Sequence, residues 1–215
     1  WSMTVSFLSM WDFTRKQEED LRPYRPAPAA AGAMGYVQPY HDCPWDDEPV
    51  GQSVYLHLID RAKRYVYITT PYLVIDHTVT MALSLAAKSG VDVRIITPHI
   101  PDKKTVFEVT RSYYRQLLEA GVKIYEYEPG FIHSKIFVVD DIFATVGTVN
   151  LDYRSMFLHF ENGVLLYDTD TVADIREDIL TTQDRSIQVT VEACKRVPWP
   201  RKLLRVLLRV FAPLL

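Results

Sequence analysis

From Gly51 onward the chain alternates two spacings of apolar residues, one at the helical repeat and one nearly continuous. SVYLHLIDRAKR has the helical pattern, and KRYVYITTPYLV after it turns β-branched and aromatic, which predicts a helix giving way to a strand. TVTMALSLAAKSG, VDVRIITP, TVFEVTRSYYRQLLEAG and VKIYEYE repeat the order helix, strand, helix, strand. Gly90 and Gly121 each close a helical pattern and are followed at once by Val, as suits a left-handed helix end feeding a strand. That repetition predicts an α/β class with a mixed, largely parallel open sheet flanked by helices. FIHSKIFVVD, IFATVG and HFENGVLLYD read as further strands with short connections, and TVADIREDILTTQD as the helix that closes the sheet.

Outside this region the pattern changes. Residues 1–50 hold eight acids against four bases and include RPYRPAPAAAGAMG, which reads as linker or long loop. Residues 195–215 carry Lys195, Arg196, Arg201, Lys202, Arg205 and Arg209 and no acid. The expected organisation is a leading fragment (1–25), a connector (26–50), a compact domain (51–188) and a basic tail (189–215). The opening WSMTVSFLSMW is too short for a span, lacks a basic leader and has no initiating Met. It suggests a piece of something longer.

Composition narrows the class without naming it. With 48% hydrophobic and 24% charged residues the chain is globular in character. A net charge of -3 argues against a general nucleic-acid binder, and two cysteines exclude a disulfide scaffold or a thiolate zinc site.

The candidate chemistry lies in FIHSKIFVVDDIFATVGTVNLDYRS. On a strand His133 and Lys135 share one face, Asp140 and Asp141 turn the chain, and Gly147 permits close backbone approach before Thr148 and Asn150. A lysine can neutralise phosphate oxygens, an amide can donate to them, and an imidazole can attack phosphorus or move a proton. The residue types alone leave another reading open: a satisfied histidine and a solvated lysine on an edge strand, with Asp140 only a turn residue.

The spacing goes further. His133–Ser134–Lys135, four residues, Asp140, six residues, then Gly147–Thr148–Val149–Asn150 resembles the H-x-K-x4-D-x6-G-(S/T)-x-N signature of the phospholipase D superfamily. The stretches YITTPYLVID, GVDVRIITP, RSYYRQLLEAGVKIYEYEPGFIHSK and NLDYRSMFLHFENGVLLYD are similar to the C-terminal catalytic half of bacterial cardiolipin synthases. The likeness is strong over about residues 50–180. It is weaker at VSFLSMWDF, which resembles the end of a preceding half.

The resemblance implies a site built from two such motifs, one histidine forming a phosphohistidine and the other moving protons on the leaving and incoming alcohols, with no metal or other cofactor. It implies phosphatidylglycerol as substrate and a bacterial cell membrane, at its cytoplasmic face, as location. This chain has one motif: His41, His57, His77, His99 and His159 each lack a lysine two residues on. The second motif is expected from an absent N-terminal half or a homodimer partner. His133 would then be the acid/base toward the alcohol, with the nucleophile role open, and Lys135 and Asn150 would hold phosphoryl oxygens, with Thr148 adding its hydroxyl. Asp140 would hold a turn and charge network. Glu161 resembles the carboxylate that orients a histidine across the interface, or is an exposed strand charge. Arg154 and Ser155, in LDYRS, offer phosphate contact or, for Arg154, an ion pair; Tyr72 would line the pocket and Asp76 cap a helix.

RKLLRVLLRVFAPLL places Arg201, Arg205 and Arg209 on one helical face and Leu204, Leu207, Leu208 and Phe211 around the other. Such a helix can lie on an anionic membrane surface, or dock its apolar face on the domain. Two rival functions remain beside the transferase: a one-motif phosphodiesterase or nuclease completed by homodimerisation, and a silent lipid-binding module.

Overall fold

The computed structural model describes residues 1–27, 32, 34–45 and 47–214. Residues 28–31 and 33 of the Pro/Ala/Gly run expected as connector therefore lie outside the described residues. Helix α1 (Ser2–Arg15) packs on strand β1 (Tyr36–Asp42), where the Ser6 hydroxyl bonds His41 Nδ1 at 3.0 Å. Tyr36–Asp42, read from sequence as connector, is an edge strand, and Pro39 is tolerated there because an edge has unpaired positions.

The region from residue 50 supplies α2 (Val50–Arg61), β2 (Tyr65–Thr69), β3 (Leu73–Val74), α3 (His77–Lys88), β4 (Asp92–Pro98), α4 (Lys104–Glu119) and β5 (Lys123–Tyr127). It continues with β6 (Ile136–Val139), β7 (Phe143–Gly147), β8 (Leu151–Asp152), α5 (Tyr153–Phe157), β9 (Glu161–Tyr167), α6 (Thr171–Asp184), β10 (Ser186–Val189), α7 (Val191–Arg196) and α8 (Trp199–Val210). Gly90 and Gly121 have φ of 94° and 102°, the left-handed ends expected of α3 and α4. Asp76 caps α3, its carboxylate accepting the Val79 N–H at 2.8 Å.

The sheet corrects the expectation of largely parallel strands. Its order is β1-β9-β7-β6-β2-β4-β5-β10. Only β2–β4 and β4–β5 are parallel; the other five neighbouring pairs are antiparallel. Parallel neighbours need a crossover, and α3 and α4 provide two. Beyond β5 the connections shorten, with Asp140 and Asp141 turning β6 directly into β7, so those neighbours pair as hairpins.

Helices α2, α3 and α4 cover one face over a core that includes Leu58, Ile68, Leu83, Ile95, Leu117 and Phe137. Helix α6 covers the other, over Ile96, Val138, Ala144, Val172 and Ile179. The two-stranded parallel pair β3–β8 sets Leu73 beside Leu151, so the chain after β2 lies against the end of the motif.

The tail reverses its expected orientation. Arg201 and Arg205 both bond Glu108 on α4, and Arg209 sits 4.0 Å from the Tyr113 ring centroid. The arginine face is the docked one, and most of the apolar residues point outward. The ion pairs outweigh the packing preference because Glu108 is largely enclosed and accepts two guanidinium groups.

Burial pushes the Glu108 carboxyl up, but the hydrogen bonds and charges of Arg201 and Arg205 prevail and hold it at about 2. A carboxyl depressed in the folded state stabilises docking above its unfolded value of 4.5 and loses that contribution as pH falls toward about 2. The protection of α8 amides from hydrogen exchange, taken relative to the intrinsic rate at each pH, should therefore fall across that window, and Glu108→Gln should show low protection already at neutral pH. Protection of α8 that stays constant from neutral pH down to about 2 would count against this clamp.

Candidate active site

His133, Ser134 and Lys135 lie in the irregular segment just before β6 rather than within the strand. Ser134 anchors the segment, its hydroxyl donating to Thr69 Oγ1 on β2 at 2.8 Å. Lys135 turns inward and is 7% exposed, its ammonium donating to the His133 carbonyl at 2.7 Å. Burial lowers the Lys135 pKa, and the charges of Glu161 and Asp152 work against that fall. A buried ammonium with one protein acceptor keeps donors free for an anion.

The His133 imidazole is exposed and has no hydrogen-bond partner among the described residues; its ring sits 5.6 Å from that of Phe131. Partial burial and then the Lys135 charge lower its pKa, while Asp102 pulls the other way. The net effect favours neutral imidazole at neutral pH, the form able to attack or to take a proton.

The second arm approaches through the β6–β7 and β7–β9 pairings. The Gly147 N–H reaches the Lys135 carbonyl at 3.3 Å, and a β-carbon at Gly147 would collide with the Asn162 carbonyl. That is the close approach that demands glycine here. Next along the chain, the Thr148 hydroxyl donates to Glu161 and accepts the Asn162 N–H at 2.9 Å. Glu161 is 6% exposed, with His159 Nδ1 at 3.8 Å. It is a buried carboxylate beside the motif rather than an exposed strand charge.

Asn150 Nδ2 donates to Ser155 Oγ at 2.9 Å while its Oδ1 is buried without a partner. A half-turn of the amide puts Oδ1 on the Ser155 hydroxyl and leaves Nδ2 as the unpaired donor. Ser155 is fully buried, and its N–H caps onto Asp152 at 2.8 Å. Arg154 points away to His159, with Nε to Nε2 at 3.3 Å. Tyr72 lies on the other flank, its ring 6.3 Å from Phe131 and its hydroxyl donating to Asp102 at 2.5 Å.

Asp140 lies at the far end of β6 from His133. Its carboxylate accepts the N–H groups of Lys63, Arg64 and Tyr65.

Sequence reasoning missed Asp102 and Asp152. Asp152 had a signal, standing three residues before Ser155 as a helix cap; Asp102 had none. It also missed that His99, just after β4, bonds buried Glu126 through Nδ1 at 2.9 Å, with Arg111 on the same carboxylate. Beside Glu161 an apolar groove of about 500 Å3 opens between α1 and β1, its walls including Val5, Met10, Phe13, Trp45 and Phe160.

Solved structures share the fold. The fold matches a phospholipase D family member, Nuc from Salmonella typhimurium, with a TM-score of 0.62 at 19% identity, over 73% of this chain and 99% of that one. It also matches phosphatidylserine synthase from Haemophilus influenzae with a TM-score of 0.65 at 19% identity, over 86% of this chain and 47% of that one. Residues 55–182 match the family described as "Cardiolipin synthase, PLD-like domain", and the chain belongs to that family. Among curated proteins, an uncharacterised protein of Streptococcus mutans is 46% identical over all of this chain and 46% of its own length. Cardiolipin synthase 2 of Bacillus anthracis is 38% identical over all of this chain and 42% of its length. The chain thus spans less than half the length of these relatives.

Proposed function

We propose that the chain forms one catalytic half of a phosphatidyltransferase that makes cardiolipin from two phosphatidylglycerol molecules at a bacterial cell membrane. The observation that carries this reading is the exposed His133 beside buried Lys135, with Asn150 and Glu161 brought up by the Gly147 approach, within the matched family segment. The apolar groove that opens at Glu161 supports a lipid substrate over a hydrophilic phosphodiester.

In this reading a histidine from a second motif attacks phosphorus, the phosphorus–oxygen bond to glycerol breaks, and His133, entering this step as the minor imidazolium form, gives its extra proton to the departing alkoxide. A hydroxyl of the second phosphatidylglycerol then attacks phosphorus, its proton passes to His133, and the phosphorus–nitrogen bond breaks. Lys135 and Asn150 hold the oxygens whose charge grows on the way.

The test is conversion of phosphatidylglycerol vesicles to cardiolipin and glycerol in equal amounts. Because one H-x-K occurs in the chain, the chain alone should convert little, and adding a domain that carries a second such motif should restore turnover. Fast turnover by a monomer of this chain would overturn the half-site reading. Turnover that appears only in a dimer of this chain, on oligonucleotides and not on phosphatidylglycerol, would replace it with the homodimeric phosphodiesterase.

A further inference from the structure

We propose that the outward face of α8 seats this domain on an anionic phospholipid bilayer, with the arginines of the helix serving as its clamp to the protein rather than as lipid contacts. Arg201 and Arg205 are held by Glu108, and Arg209 lies over Tyr113 and donates to Gln116 at 3.3 Å. Leu208 alone of the leucines in α8 packs on the core. The opposite stripe is left uncovered, with Trp199, Val206 and Val210 exposed by 74%, 62% and 71% and Leu203 and Leu207 beside them. Residues 199, 203, 206, 207 and 210 fall on one side of a helix, so this is a continuous strip and not scattered surface leucines.

Charge decides what covers the strip. Lys195, Arg196 and Lys202 flank it, all exposed, and no acid occurs from 195 to 215. A second copy docking face to face would bring its own three bases against these, an arrangement of like charges that disfavours association. Anionic headgroups answer the bases, while acyl chains take the apolar side chains. Trp199, at the start of the helix, is a residue type enriched at membrane interfaces, and Phe211, just past its end, extends the apolar surface.

The helix direction adds the link to the site. Arg201 and Arg205 meet Glu108, and Arg209 meets Tyr113 and Gln116 further along α4, so α8 runs in the same direction as α4. The Trp199 end of the strip therefore lies toward the start of α4. That start follows Asp102, the partner of Tyr72 at the rim of the candidate site.

The choice of lipid as partner rests on the proposed function, but the test requires no turnover, so the two ideas fail separately. Trp1, Trp11 and Trp45 are exposed and can be changed to Phe, leaving Trp199 as the sole reporter among the four tryptophans. Vesicles of phosphatidylglycerol with brominated acyl chains should quench and blue-shift Trp199, and phosphatidylcholine vesicles should do so much less. Val206→Glu with Val210→Glu should weaken vesicle binding about tenfold or more while circular dichroism stays unchanged. Trp199 emission that ignores anionic vesicles would overturn the proposal, as would unchanged vesicle binding by the double variant. A dimer in the parent chain that the double variant converts to monomer would assign the strip to a second copy instead.

Discussion

Replacing His133 by Ala should lower phosphatidyl transfer by about three orders of magnitude while moving Tm by no more than about 2 °C. The asymmetry follows from the surroundings of the ring. His133 is exposed, has no hydrogen-bond partner among the described residues and lies beside the Phe131 ring, so its removal leaves no hydrogen-bonding group there unpaired. Lys135 keeps its bond to the main-chain carbonyl of residue 133, which any side chain at that position preserves. The loss should therefore fall on kcat, measured in the assembly that carries transfer activity.

The leaving group then separates the two histidine roles. If His133 protonates the departing alcohol, a phosphatidyl ester of an acidic phenol should release its phenol nearly as fast from His133→Ala as from the parent, because that oxygen needs no proton. If His133 is the nucleophile, the phenol ester should fare no better than phosphatidylglycerol. A variant with normal transfer on the natural lipid would remove His133 from the chemistry altogether.

Legibility in the sequence followed the range of the interactions. The glycine ends of α3 and α4 and the cap at Asp76 are local events and could be read directly. So could the spacing of His133, Lys135, Asp140, Gly147 and Asn150, because it counts positions along one hairpin and its return. The sense of the sheet could not. The helix–Gly–strand repeat holds for β4 and β5, which run parallel beside β2, but it does not say that β6 lies antiparallel on β2 or that β1 and β9 extend that side.

Long-range partners account for the other differences. From sequence Glu161 reads either as an orienting carboxylate or as an exposed strand charge, and the β7–β9 register, with Gly147 opposite Gly163, decides by bringing Thr148 to it. The tail has two faces able to dock, and the residue that selects between them, Glu108, stands far upstream on α4 with nothing in its neighbours to mark it. Asp102 is legible only after the loop following β4 is folded against Tyr72.

Asp140→Ala should show the opposite signature from His133→Ala, a large loss of stability with little change in the chemistry of molecules that remain folded. The Asp140 carboxylate is 6% exposed and accepts the main-chain N–H groups of Lys63, Arg64 and Tyr65 at 2.7, 2.9 and 2.8 Å. These bonds tie the entry of β2 to the β6–β7 turn, and both strands lie in the middle of the sheet. Alanine leaves three donors without an acceptor, each costing about 1–3 kcal/mol where water cannot reach it. It also occupies φ of 54°, where aspartate is better tolerated than alanine. A total of about 3–5 kcal/mol allows for partial rescue by water, and at about 2–4 °C per kcal/mol Tm should drop by roughly 10 °C or more.

Asn tests the account from inside. In Asp140→Asn one oxygen can still accept from Arg64 and Tyr65, but the amide nitrogen would face the Lys63 N–H, donor against donor. Its Tm should therefore fall between those of the parent and the alanine variant. Below the transition of each variant, kcat per folded molecule should stay within a few-fold of the parent, because Asp140 stands at the end of β6 remote from His133. An unchanged Tm with lost turnover would mean that Asp140 acts on the reaction and not on the turn.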